Sequence, residues 1–166
     1  MVALRTLIFT VVVPGTVTVL VPYALLSVGS ADSSTTLGIL RYAGLLPIAS
    51  GASLYLWCAW QFMSTGKGTP APIDPPKGLV AAGPYGLVRN PMYLAVVSAL
   101  AGEALLFESF LLLGYAAGVF AAFFLFVVFY EEPALRRKFG ESYERYRRRV
   151  PRWIPRGPSG RCHRRG

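Results

Sequence analysis

The sequence predicts an all-α, polytopic membrane protein of about four transmembrane helices, with amphipathic cytoplasmic helices near its C-terminal end. Three observations predict it. Of 166 residues, 54% are hydrophobic and 13% aromatic, more apolar than ordinary soluble domains. The formal charge is +9 although only 15% of residues are charged, so charge is crowded into some stretches and missing from others. The uncharged stretches have the length of bilayer spans, about 20 residues. They favour a membrane protein over a nucleic-acid binder as the source of the basic balance, so no nucleic-acid partner is expected.

Residues 1–155 read as one domain, with four spans in order. Thr6–Val28 carries no charge and is long enough for roughly 30 Å of hydrocarbon at 1.5 Å per residue. Pro14-Gly15 inside it predicts a kink. Arg5 before it and the small residues of "VGSA" after it also fit a cleaved signal peptide. The apolar stretch exceeds the usual length for one, which favours a retained helix. The second span, residues 38–63, is apolar apart from Arg41 and Gln61. The third, residues 91–107, is shorter and carries Glu103. The fourth, residues 109–130, is uncharged and ends against Glu131 and Glu132. Glu103 and Glu108 read as interfacial.

Basic residues set the orientation. Sixteen of the seventeen lie before the first span, between the second and third, or after Tyr130; only Arg41 dissents. With four spans these regions share one side, which the positive-inside rule makes the cytoplasm, and both termini fall there.

The connection 64–90 is dense in proline and glycine, which predicts a packed lid rather than a loose tether. Its "STGKGT" only glances at a phosphate loop: Gly68 follows Lys67, the upstream glycine is missing, and no strand precedes it. In residues 133–150, Leu135, Phe139, Tyr143, Tyr146 and Val150 recur at helical spacing, with arginines and Lys138 filling the other face. This predicts a basic amphipathic helix pair, interrupted at Gly140, on the anionic inner leaflet. Residues 156–166 read as a disordered basic tail. Cys58 and Cys162 form neither a disulfide framework nor a zinc spacing, so no metal site is expected. The one histidine, His163, sits in that tail, which argues against histidine-based catalysis.

The most informative stretch is "GPYGLVRNPMYL", Gly83 to Leu94. Asn90 is a good helix N-cap and Pro91 a good first helical residue, since its missing N–H would be unpaired there. The free N–H groups near Met92 and Tyr93 favour an anion, and Arg89 adds a two-pronged donor suited to a carboxylate. Tyr85 and Tyr93 supply flat faces and hydroxyls. The plainer reading has Asn-Pro merely capping the helix while Arg89 reaches lipid phosphates. Glu131 and Glu132 fall at the same level as Arg89. Paired carboxylates beside an apolar span need cationic or hydrogen-bonding partners, which Arg89, Arg136 or a cationic ligand would supply. Together the residues of this stretch would form a cradle for a carboxylate-bearing ligand, with the glutamates as its far wall.

These residues, followed by "EEPALRRKFGESYERYRRRVPRWIP", resemble the isoprenylcysteine carboxyl methyltransferase and phospholipid methyltransferase families of membrane enzymes. Those carry an Arg-His-Pro-x-Tyr element, a Glu-Glu pair, a Phe-Gly with spaced tyrosines, and a Val-Pro-Arg ending. Here Arg89, Asn90, Pro91 and Tyr93 match the first element, Glu131 and Glu132 the second. Phe139, Gly140, Tyr143 and Tyr146 follow, and Val150-Pro151-Arg152 closes the pattern. The likeness covers roughly Gly66 to Pro155. It implies S-adenosylmethionine as methyl donor, held by the C-terminal half beside a tunnel open to the bilayer. Arg89, Glu131 and Glu132 are then catalytic candidates. Gly83, Tyr85, Asn90, Pro91, Tyr93, Tyr143 and Tyr146 join them as cofactor-binding candidates.

Asn90 stands where many members have histidine. It keeps the capping and hydrogen-bonding role but cannot exchange a proton at neutral pH. That favours acceptors needing no base, a carboxylate or thiolate, with an amine possible if Glu131 or Glu132 takes its proton. The expected acceptor is lipophilic or membrane-partitioned. Two alternatives stay open: a membrane reductase using NADPH, and a non-catalytic four-helix transporter or assembly subunit.

Overall fold

A computed structural model describes residues 12–28, 37–61, 64 and 81–155, and these contain helices and no strand. Residues 6–11 of the first expected span, most of the 64–90 connection and the 156–166 tail lie outside the described residues.

Helix α1 is Val12–Val28. After Pro14-Gly15 it widens into a π-helical stretch, Thr16–Leu20, closed by the Val21 N–H bonding the Thr16 carbonyl. The expected disturbance at this proline thus takes the form of a widened turn. Helix α2, Gly38–Gln61, opens with a tight 3₁₀ segment, Gly38–Gly44, and continues as α-helix from Leu45. Helix α3 is Pro91–Leu106. Helix α4 runs from Phe110 to Phe139 through a π turn, Val127–Glu131, that joins its apolar part to the charged end. Gly140, at φ 51°, breaks the chain before α5, Glu141–Arg149. A left-handed residue there is what glycine permits.

Helices α2 and α4 are long and apolar enough to cross a membrane; α1 and α3 are apolar but shorter. Their outward faces carry Leu46, Leu56, Trp60 and Phe129, all exposed. An apolar surface of this extent suits lipid rather than water.

The tightest packing is between α2 and α3. A Cβ on Gly51 would lie 2.5 Å from the Ala95 carbonyl, and one on Gly102 would lie 2.5 Å from the Gly44 carbonyl. Only glycine lets these backbones approach so closely, the usual device where lipid removes the hydrophobic drive between helices. Ser98 donates across the seam to the Pro47 carbonyl at 3.0 Å. The core continues through Tyr55, Ala95, Val96, Leu100 and Ala116. Tyr115 on α4 donates to the Val17 carbonyl in the π stretch of α1 at 3.0 Å, fixing α1 to the bundle.

Helices α3 and α4 form a hairpin. Ser109 caps α4 by accepting from the Leu112 N–H at 3.3 Å. Glu108 holds a left-handed conformation at φ 51° and accepts the Leu37 N–H at 3.1 Å. An apolar cavity of about 190 Å³ opens at this hairpin end, lined by Ala104, Leu105 and Leu113 among others. The opposite ends of the hairpin, Pro91 and Glu131, therefore lie side by side.

Candidate functional site

The site starts at a turn. Gly83 has φ 58°, a conformation that favours glycine, and a Cβ there would meet only the movable end of the Gln61 side chain, so it is the backbone rather than space that calls for glycine. The 3₁₀ turn Gly83–Gly86 buries Pro84 and Tyr85, and the Tyr146 hydroxyl donates to the Tyr85 carbonyl at 2.7 Å. Gly83, Tyr85 and Tyr146 thus lock the approach to α3 against the C-terminal helix.

Arg89 comes next. Its backbone N–H donates to the Pro151 carbonyl at 2.8 Å, and its Nη1 meets Glu132 Oε1 at 2.7 Å. Glu132 also takes a fork from Arg152, Nε to Oε1 at 2.8 Å and Nη2 to Oε2 at 2.9 Å. One carboxylate is clasped by two guanidinium groups in a largely buried setting. Such a triad holds together because each charge has hydrogen-bonded partners. On the other side, the Tyr93 hydroxyl donates to Glu131 Oε2 at 2.9 Å, while its ring packs 4.6 Å from Phe123.

Tyr143 is buried beneath this cluster. Its phenol is raised above its ordinary value, first by burial and then by the charge of Glu132, against the opposing hydrogen bond of Arg89. Burial likewise raises Tyr146 and Tyr85, the former also through Tyr143. All three phenols are held neutral; Tyr146 donates its proton to the Tyr85 carbonyl, whereas Tyr143 accepts from Arg89.

Two expectations need correction. Asn90 occupies the N-cap position of α3, but its side chain makes no capping bond. At φ −123°, ψ 52° its Nδ2 instead donates to the Arg152 carbonyl at 3.3 Å, drawn by the C-terminal segment lying across it. Pro91 does start the helix, and the Asn90 carbonyl accepts the Leu94 N–H at 3.3 Å. Arg136, offered as a partner for the acidic pair, faces Glu144 at 3.1 Å, because α5 folds back beside it.

Arg89 does not stand open as a carboxylate fork; it spends Nη1 on Glu132 and keeps Nε buried without a partner among the described residues. The indole Nε1 of Trp153 is unpartnered in the same way. Trp153 sits edge-on to Phe120 at 5.3 Å and beside Phe124, with the Arg152 guanidinium over the Phe124 ring at 5.9 Å. Arg152, Trp153 and the α4 phenylalanines were not among the candidate site residues. Arg152 is one of twelve basic residues after Tyr130; Arg156 also follows a proline, so only its place in the Val150-Pro151-Arg152 ending sets Arg152 apart.

Fold and site define an all-helical protein of membrane character, whose acidic helix foot is bonded to an Arg-Asn-Pro helix head. The chain belongs to the phospholipid methyltransferase family, whose model matches residues 39–142, including both motifs. It is similar to the nickel-cobalt-cadmium resistance protein NccN of Alcaligenes xylosoxydans xylosoxydans, with 30% identity over 125 residues, 75% of this chain and 54% of that protein. It is also similar to the cobalt-zinc-cadmium resistance protein CzcN of Cupriavidus metallidurans, with 29% identity over 125 residues, 75% of this chain and 53% of that protein. The chain spans about half the length of these curated relatives. No solved structure matches it.

Proposed function

We propose that this chain is an integral-membrane methyltransferase that uses S-adenosylmethionine to methylate a lipophilic or membrane-partitioned acceptor. In this reading α1 to α4 are four spans, and the site and both termini face the cytoplasm. The observation that carries it is the pair of contacts Arg89–Glu132 and Tyr93–Glu131, which joins the two family motifs at one end of the bundle. The exposed cations Arg136, Arg137, Lys138, Arg145, Arg148 and Arg149 beside that end suit an anionic inner leaflet.

The residues fit a zwitterionic donor. The buried, unpartnered Arg89 Nε and Trp153 Nε1 are two donors for a carboxylate, and Glu131 is an acceptor for a cation. When bound, S-adenosylmethionine supplies a methyl group activated on a sulfonium. The aromatic wall of Phe120, Phe123 and Phe124 keeps water out, and the ionic cluster fixes the orientation of what it holds. Asn90 moves no proton, which favours a carboxylate or thiolate acceptor over an ammonium.

The test is isothermal titration of detergent-purified protein with S-adenosylhomocysteine and, separately, NADPH. Binding of the first and not the second is expected; the reverse would establish the reductase, and neither would favour a non-catalytic protein. The relatives' names add a role in resistance to nickel, cobalt, zinc or cadmium. Growth of a deletion strain on those metal salts tests it, with loss of tolerance expected.

A further inference from the structure

Glu131 and Glu132 are neighbours in the chain but are held in opposite ways. Both oxygens of Glu132 are taken, by Arg89 and by the fork of Arg152. Glu131 accepts from Tyr93 alone among the described residues, through Oε2. Successive helical side chains diverge by roughly 100° around the axis, so the two carboxylates face different neighbours. Glu131 faces α3 and Glu132 faces the segment after α5.

That segment, Val150 to Trp153, leaves α5 with Val150 in extended backbone, then bends and lies across the start of α3. It is held by the Arg89 N–H on the Pro151 carbonyl at 2.8 Å, Asn90 Nδ2 on the Arg152 carbonyl at 3.3 Å, the Arg152 fork on Glu132, Trp153 against Phe120 and Phe124, and the Arg152 guanidinium over the Phe124 ring. Of these only the fork is a charged, two-pronged bond, the strong kind.

We infer that the two glutamates divide the work: Glu131 is the carboxylate that contacts the cationic part of the ligand, and Glu132 is a positioning residue to which Arg152 ties the Val150–Trp153 strap. The ligand half of this assignment rests on the methyltransferase reading; the strap half does not. Replacing Glu131 removes an acceptor and leaves every strap contact in place. Replacing Glu132 leaves Arg89 and Arg152 facing each other without an anion, which releases the strap. Replacing Arg152 releases it too, while the Arg89–Glu132 pair stays whole.

The experiment uses full-length protein in detergent with Trp57→Phe and Trp60→Phe, so that Trp153 is the sole tryptophan. Acrylamide quenching reports the strap, and titration with S-adenosylhomocysteine reports the ligand. Glu132→Gln and Arg152→Ala are expected to raise quenching at least twofold, with Glu132→Asp restoring part of the protection. Glu131→Gln is expected to leave quenching unchanged and weaken S-adenosylhomocysteine at least tenfold. Should Glu132→Gln fail to fold, Arg152→Ala carries the strap readout. Unchanged quenching in Arg152→Ala overturns the tie, as does an equal rise in Glu131→Gln. Unaltered affinity in Glu131→Gln overturns the ligand assignment. If the parent protein binds no S-adenosylhomocysteine, the methyltransferase reading and the Glu131 half fall together, and the quenching arm still decides the Glu132 half.

Discussion

Arg89 and Glu132 are 43 positions apart and meet at 2.7 Å, with side chains only 11% and 8% exposed. The bond ties the mouth of α3 to the foot of α4, the two ends that the α3–α4 hairpin brings back to one level. With Arg152 on the same carboxylate, three chain segments share one buried ionic node.

Glu132→Ala should be the costliest single change at the node. It leaves the largely buried Arg89 and the partly exposed Arg152 guanidinium groups uncompensated, and breaking a buried pair from one side costs about 3–5 kcal/mol. Thermal unfolding in detergent measures it. The Arg89→Ala/Glu132→Ala double variant should lose less than the sum of the two singles, because the partners' charges disappear together.

Gly51→Ala should destabilise the bundle by about 1–3 kcal/mol through overpacking, since the new methyl would press on the Ala95 carbonyl. Gly114→Ala, on a helix face with open space around it, should be close to neutral in the same assay.

Tyr146→Phe removes the hydroxyl that donates to the Tyr85 carbonyl and should cost about 0.5–1.5 kcal/mol at neutral pH. The pH dependence has a definite sign. The Tyr146 phenol is raised on folding, chiefly by burial, so the folded state holds its proton more tightly than the unfolded chain does. Its contribution is complete below the ordinary tyrosine value near 10 and disappears as pH rises through the folded value. Alkaline titration should therefore destabilise the wild type more steeply than Tyr146→Phe.

Replacing the exposed Arg137, Lys138, Arg145 and Arg148 by Gln should weaken engagement of anionic bilayers. Each basic residue near such a surface is worth about 1 kcal/mol. Reconstitution into vesicles with and without phosphatidylserine checks this: the variant should lose the preference for anionic vesicles that the parent shows. Equal preference in both would count against an inner-leaflet seat for this face.

Local signals in the sequence mark several helix ends but not continuity: the fourth apolar stretch and the first basic amphipathic helix, expected as separate elements meeting near Tyr130, are one helix, α4, from Phe110 to Phe139. Apolar runs bounded by Pro91, Ser109 and Gly140 set where α3, α4 and α5 begin or break, to within a residue or so of the structure. The same signals singled out Arg89, Tyr93, Glu131 and Glu132, because charges at the ends of apolar helices are conspicuous. They mispaired Arg136, which is closer in sequence to the glutamates than Arg152 and yet bonds Glu144.

What the sequence determined alone is the helical, membrane-like character of the chain and the polar residues at its helix ends, since hydrophobic run length, proline and glycine act on the backbone nearby. Only the tertiary structure decided that Arg152 clasps Glu132, that Asn90 bonds the strap rather than its own helix, and that Glu131 is left to Tyr93. A salt bridge has no local signature: which of twelve cations reaches a given carboxylate depends on where the chain returns after α5, and that is set by packing across the whole bundle.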